Sequence, residues 1–474
     1  MTALAALTPW LGPALLACVA AHAFSGDADA PVIVLLAVAA PLLALLRRSH
    51  GASLDRSSLI IAGPGLALLL WANALILVEL ARLIGIDRAA AALAAGALAL
   101  IPLVVGGADD DWSGVIAACG VAGAAVAIAL VGAAIGLPPW TAWTRAASRP
   151  ALVFNESSLW VTQGNALPRS TTLEFTEVHR VTAVTAGTYR LIERDGGALA
   201  VRERQLNGGE ALTLRPGDAL LLQAGARVRF ETGKRIPGPI PSGVSWSQPH
   251  ASARPRAAVR MVGLAVTVIG AAVALVAPCR TRTLAIGGPL AVLAFALAGA
   301  VWGIYAMYAA PDLSVGAGPL TALVQLPPLV VEAHWAPSIV ILIGVALLAL
   351  YTAASCGLWH RMRDLAIPWS RRGLARLTWG IAVTLAAAAA WSSSPDPWTI
   401  LLLGCGFLTS TVAAPALAST HPTARRIGMI AGATIFVLAA AVLAVRAPAL
   451  GVTSIALIAG PVAWLTTLLM SRRV

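Results

Sequence analysis

Tyr189-Arg-Leu-Ile-Glu-Arg-Asp-Gly-Gly-Ala-Leu-Ala-Val-Arg-Glu-Arg-Gln205 reads as a strand, a tight turn and a second strand. Asp195-Gly196-Gly197 is the turn signal, because glycine takes up positive φ at no steric cost. The pattern extends in both directions. Asn207-Gly208-Gly209 turns into 210–214, Pro216-Gly217 turns into 218–223, and Gly225 precedes 227–231. Ahead of the hairpin, 151–154, 159–162, 171–178 and 181–185 have strand character. Eight or nine short strands without a helical period predict a small β-sandwich or barrel. Pro237, Pro239, Pro241, Pro249 and Pro255 then make 235–255 an extended linker.

This all-β stretch, 138–256, interrupts a chain of another kind. Hydrophobic residues make up 58 % of the sequence and charged residues 11 %, against about 25 % charged in an ordinary soluble domain. Runs suited to a hydrocarbon core of ~30 Å flank it on both sides. They cover 3–24, 31–46, 59–79, 89–106 and 114–137, then 258–278, 283–308, 337–358, 378–391, 399–418, 427–445 and 452–470. The expected fold class is a polytopic α-helical membrane protein of about twelve transmembrane helices with an inserted all-β periplasmic domain, a small sandwich or barrel. Its parts are an N-terminal five-helix bundle (1–137), the β domain with its proline-rich exit (138–256) and a bundle of about seven helices (257–474). Residues 11–20 followed by Ala21-His22-Ala23 resemble a signal-peptide core and cleavage site, but no Lys or Arg precedes them, which favours an uncleaved first span.

Arginine placement sets the orientation. Alternate loops carry Arg47, Arg48 and Arg56; Arg280 and Arg282; the group 361–376; Arg425 and Arg426; and Arg472 and Arg473. The positive-inside rule makes these loops and both termini cytoplasmic and 138–256 periplasmic. Asp109, Asp110 and Asp111 dissent, yet acidic residues count little in that rule. Lys234 is the one lysine among 33 basic residues, and alanine is abundant, as in a GC-rich bacterial genome. The localisation expected is thus a bacterial inner membrane. The net charge of +12 is spread over span ends and the inserted domain and forms no basic aromatic face, so nucleic acid is not an expected partner.

Gly217-Asp218-Ala219-Leu220-Leu221-Leu222-Gln223-Ala224-Gly225-Ala226-Arg227-Val228 resembles the second cupin motif, G-x5-P-x-G-x2-H. Gln223 stands at the proline and Val228 at the metal-binding histidine, and no H-x-H lies upstream of it. The likeness, about a dozen residues long, implies a jelly-roll-like topology and argues against a cupin metal centre.

Chemistry is sparse. The middles of the spans hold almost no Asp, Glu, Lys or Arg, the groups on which ion-coupled transport depends. Glu79 and Arg82 form an i,i+3 interfacial charge pair at one span end. His22 and His334 are the two histidines near apolar runs, too few for bis-histidine haem across the bilayer. The five cysteines, Cys18, Cys119, Cys279, Cys356 and Cys405, form no C-x-x-C and read as packing residues. No G-x-S-x-G, H-E-x-x-H or P-loop occurs. Hence no catalytic residue, metal ligand or cofactor is assigned. Two regions stand out. The apolar stretch 311–337 is broken by prolines, and Pro327, Pro328, Glu332 and His334 make it the candidate pocket, since broken helices line transporter sites. Arg361, Arg363, Arg371, Arg372 and Arg376, with Trp359 and Trp369, form a cytoplasmic basic segment suited to anionic lipid.

Three functions compete. One is a non-catalytic accessory, scaffold or assembly subunit of an inner-membrane complex, its β domain docking a partner, with membrane lipids and proteins of the membrane and periplasm as partners. Another is a transporter or exporter of an apolar or zwitterionic solute. The third is a periplasm-facing enzyme acting on a lipid-linked substrate. The charge-free spans favour the first, so an enzyme is the weaker expectation.

Overall fold

The computed structural model describes residues 3–25, 30–46, 56–83, 85–104, 111–148, 152–154, 159–162, 171–175, 178–195, 198–216, 218–222, 228–229, 258–276, 287–309, 326–327, 330–331, 334–365, 372–393, 397–419, 421–446 and 453–472. It is mostly helical, with a small two-sheet β unit in the middle of the chain.

Nine strands build the β unit: β1 (Leu152–Phe154), β2 (Leu159–Thr162), β3 (Thr171–Glu174), β4 (His179–Ala183), β5 (Gly187–Asp195), β6 (Ala198–Leu206), β7 (Ala211–Leu214), β8 (Ala219–Leu222) and β9 (Val228–Arg229). One sheet has the order β1-β2-β9-β4-β7 and the other β3-β8-β5-β6. The antiparallel partners nest: β5 with β6, β4 with β7, β3 with β8 and β2 with β9. A single long ribbon, tipped by the 195–198 hairpin, is therefore rolled over so that its strands divide between two sheets, the jelly-roll arrangement. Asp195 pairs with Ala198, and Gly196 and Gly197, expected as the turn, lie outside the described residues. The pleat selects the inner face: His179, Val181 and Ala183 of β4 and Leu212 and Leu214 of β7 alternate with more exposed neighbours. Gly209, at φ 96°, closes the turn between β6 and β7, where its N–H donates to the Ala183 carbonyl at 2.7 Å.

The helices are α1 (Ala3–Leu7), α2 (Pro13–Ser25), α3 (Ala30–Leu46), α4 (Arg56–Leu83), α5 (Arg88–Val104), α6 (Asp111–Ile135) and α7 (Pro139–Ser148) before the β unit. After it come α8 (Ala258–Leu275), α9 (Gly287–Ala309), α10 (Ala336–Leu365), α11 (Arg372–Ser392), α12 (Pro397–Leu408), α13 (Ala414–Ala418), α14 (Pro422–Arg446) and α15 (Thr453–Ser471). Six stretches are long and apolar enough to cross a membrane: 61–82, 112–135, 287–309, 336–363, 397–418 and 422–442. Apolar helices over 13–23, 31–44, 88–103, 261–275 and 455–471 are shorter. Every apolar run in the sequence contains helix, as a multi-pass membrane protein requires.

Three details depart from the sequence pattern. The run 3–24 is two helices, broken at 8–12, because Pro9 and Pro13 withhold N–H donors and Gly12 adds freedom. Residues 139–148, expected to open the β domain, form α7, which rests on α9 with Ala142 buried and Trp140 and Trp143 exposed. Between α12 and α13 the chain widens into a π turn over Thr409–Ala413. Pro415 explains it, since its ring would press on the carbonyl of Thr411 in a regular α-helix.

Side chains on one helix fasten the backbone of another. Trp10 Nε1 donates to Ala37 O at 3.0 Å, and that carbonyl lacks its helical donor because Pro41 lies four residues on. Trp379 Nε1 reaches Ala99 O at 2.9 Å, one turn before Pro102, and Tyr351 Oη reaches Ala95 O at 3.0 Å. Three arginines act on helix C-terminal ends, where carbonyls are unpaired and the dipole is negative. Arg361 Nε donates to Ala274 O at 2.7 Å. Arg88 donates to Ala390 O at 2.9 Å and to Ser393 O. Buried Arg425 donates to Ser419 O and, at 3.4 Å, to Ala416 O.

Candidate functional site

The break at 8–12 borders a cavity in the helical bundle. α2 cannot cap its own first turn, so Asn73 does it from α4. Its Oδ1 accepts from Ala14 N at 3.0 Å, and its Nδ2 donates to Leu69 O at 2.9 Å. Only glycine fits at position 12, where a Cβ would come 2.4 Å from Asn73 Oδ1. The amide is 4 % exposed and engaged on both sides.

Behind this junction lies a narrow, partly open slot with a cavity volume of about 40 Å³. Five elements close a ring around it: α2 packs on α3, α3 on α8, α8 on α12, α12 on α4, and α4 on α2. Each contributes one stripe. Leu264, Val268 and Leu275 come from α8, and Leu401, Leu402 and Cys405 from α12. Asn73 is the sole amide or charged side chain in the lining. Of the lining residues, Leu15 and Trp398 are the partly exposed ones, and His22 meets Trp398 edge-on with ring centroids 4.8 Å apart. Just beyond Cys405 the π turn begins. Thr409 Oγ1 lies 2.8 Å from Cys405 O and 2.9 Å from Thr267 O of α8, tying the two walls together. Ser410 and Thr411 bond back to Gly406 and Phe407 carbonyls.

The residues singled out in the sequence lie elsewhere. Pro327 is buried, and its carbonyl accepts from Val331 N at 2.9 Å; His334 is exposed against Trp335. Pro328 and Glu332 lie outside the described residues. Neither Pro327 nor His334 borders the slot. Glu79 sits 3.1 Å from Arg82 and 3.6 Å from Arg88, so the pair extends into a triad that anchors the α4–α5 turn to the end of α11. Arg363 is half-buried and Arg376 exposed, Arg372 starts α11, and Arg371 lies outside the described residues. Arg361 is turned onto the end of α8. Among the described residues no three His, Cys, Asp or Glu side chains could jointly hold a metal ion.

Trp10, Gly12 and Asn73 are the site residues that pattern reading missed. A signal existed: Pro9-Trp10-Leu11-Gly12-Pro13 is as proline-broken as 311–337, and Asn73 is an isolated amide in an apolar run. No known family model and no curated protein matches this chain.

Proposed function

We propose that this chain is a non-catalytic accessory or assembly subunit of a bacterial inner-membrane complex, crossing the bilayer twelve times with both termini inside. On this reading the β unit lies in the periplasm and docks a partner. One observation carries it: Trp10, Tyr351, Arg361, Trp379 and Thr409 each donate to the backbone of a different helix, fastening the bundle. A rigid frame of that kind suits a scaffold. Alternation of twelve crossings is supported by four cross-helix contacts. His22 with Trp398, Arg88 with Ala390, and Tyr305 with Leu137 each join two ends that alternation puts outside; Arg361 with Ala274 joins two inner ends. Exposed Trp140, Trp143, Trp335 and Trp391 lie at helix ends on the proposed outer side, at headgroup depth.

Gentle solubilisation, affinity capture on the C-terminus, native electrophoresis and mass spectrometry test the reading. Stoichiometric co-purifying proteins are the expected result; a lone monodisperse particle overturns it. The helix break beside an apolar slot favours a second reading, transport of an apolar or zwitterionic solute, whose test is solute flux in proteoliposomes abolished by Asn73→Leu.

A further inference from the structure

We infer that the slot enclosed by α2, α3, α4, α8 and α12 is an internal binding site for one unbranched hydrocarbon chain, the tail of a lipid or a free fatty acid. Length, lining and enclosure each point there. Leu264 and Leu275 border the same slot from one face of α8 and are eleven residues apart, which at 1.5 Å per residue is about 16 Å. That is about half of a ~30 Å hydrocarbon core, the depth reached by a single lipid tail. The lining suits such a chain and little else. A water cluster needs two to four polar partners per molecule, whereas the Asn73 amide already bonds to Ala14 and Leu69 and the Trp10 indole N–H to Ala37. No charged side chain lines the slot, so a headgroup stays outside it. Enclosure by a closed ring of helices separates this chain from the annular lipid that wets outward residues such as Leu385 and Val437. Thr409 bridges α12 to Thr267, between the slot-lining Leu264 and Val268 of α8, so the bridge braces the wall against which the chain would lie. The inference holds whether the chain is kept as a structural element or carried across.

Purified full-length protein is irradiated with two probes, a phosphatidylcholine bearing a diazirine near the end of one acyl chain and a free fatty acid bearing the same group. Labelled peptides are mapped by mass spectrometry. Labelling within 264–275 and 398–405 is expected, by the phospholipid alone if the occupant is a bilayer lipid and by both probes if a free chain suffices. Cys405→Phe and Leu264→Trp fill the slot and should cut that labelling by about tenfold, the change that about 1.4 kcal/mol produces, while labelling at Leu385 and Val437 persists. Labelling confined to outward-facing residues, or slot labelling unchanged in both variants, overturns the inference. Where a variant does not fold, competition on the wild-type protein decides: an excess of the unlabelled counterpart of whichever probe labels, phosphatidylcholine or fatty acid, must suppress slot labelling, and failure to do so is equally fatal.

Discussion

Proline removes a donor, and in a bilayer another side chain has to restore it. At Ala37 the missing N–H belongs to Pro41, and the Trp10 indole supplies the replacement. Trp10→Phe keeps an aromatic side chain and deletes the donor. It should lower stability by about 1 kcal/mol, in the range measured for side-chain bonds inside membranes, seen as a fall in Tm in detergent. Adding Pro41→Ala returns a backbone donor to Ala37, so the double variant should lose less than the sum of the single losses. Strict additivity in that cycle would show the indole bond to be idle. Asn73 is a harsher case, since it caps α2 and satisfies Leu69 at once. Asn73→Leu leaves the buried Ala14 N–H unpaired, and a loss of about 1–3 kcal/mol follows. Hydrogen exchange at 13–16 should accelerate more than elsewhere in the bundle, which a general packing defect would not produce.

Helices approach closely here where one surface lacks a Cβ. A Cβ at Gly428 of α14 would meet Thr467 Oγ1 of α15 at 1.8 Å and Ala463 O at 2.9 Å, whereas Gly460 of α15 has open space around it. Gly428→Val should therefore destabilise by about 1–3 kcal/mol through overpacking. Gly460→Ala should be neutral or stabilise by up to about 1 kcal/mol, because glycine weakens a helix interior. Thermal unfolding of the pair separates contact from propensity: equal losses in both would refute the close approach. Elements of this kind were largely legible in the sequence. Apolar length located the helices, and glycine turns such as Asn207-Gly208-Gly209 located the strands, because both signals are local. The nested strand pairing was visible only through a twelve-residue likeness. The slot was not legible, since Leu264, Ala37 and Leu402 look like any lipid-facing residue until five helices are brought together. The π turn was half legible: Pro415 was in view, but the run Thr409-Ser410-Thr411 gave no sign of how wide the turn would become.

The whole molecule reduces to a parity problem. Six helices have the length to cross unaided and five apolar ones are shorter, and α11, rich in alanine and led by Arg372, belongs to neither group. Short helices can cross where the bilayer thins or flanking residues snorkel, and the count decides which side each surface faces. Single cysteines at Val201, Ser393 and Arg472, all exposed, read that count directly in a background lacking the native cysteines. With twelve crossings, four helices separate Val201 from Ser393 and three separate Ser393 from Arg472. A membrane-impermeant maleimide on intact cells should then label Val201→Cys and Ser393→Cys, and reach Arg472→Cys only after permeabilisation. Labelling of Arg472→Cys alone would invert the orientation and put the β unit in the cytoplasm. Labelling of Val201→Cys without Ser393→Cys would mean an odd number of crossings between them. The odd helix would then be α8 or α11, since α9 and α10 have the full length. A non-crossing α8 would also open the ring around the slot, so the accessibility of Ser393 bears on the chain-binding site as much as on the topology.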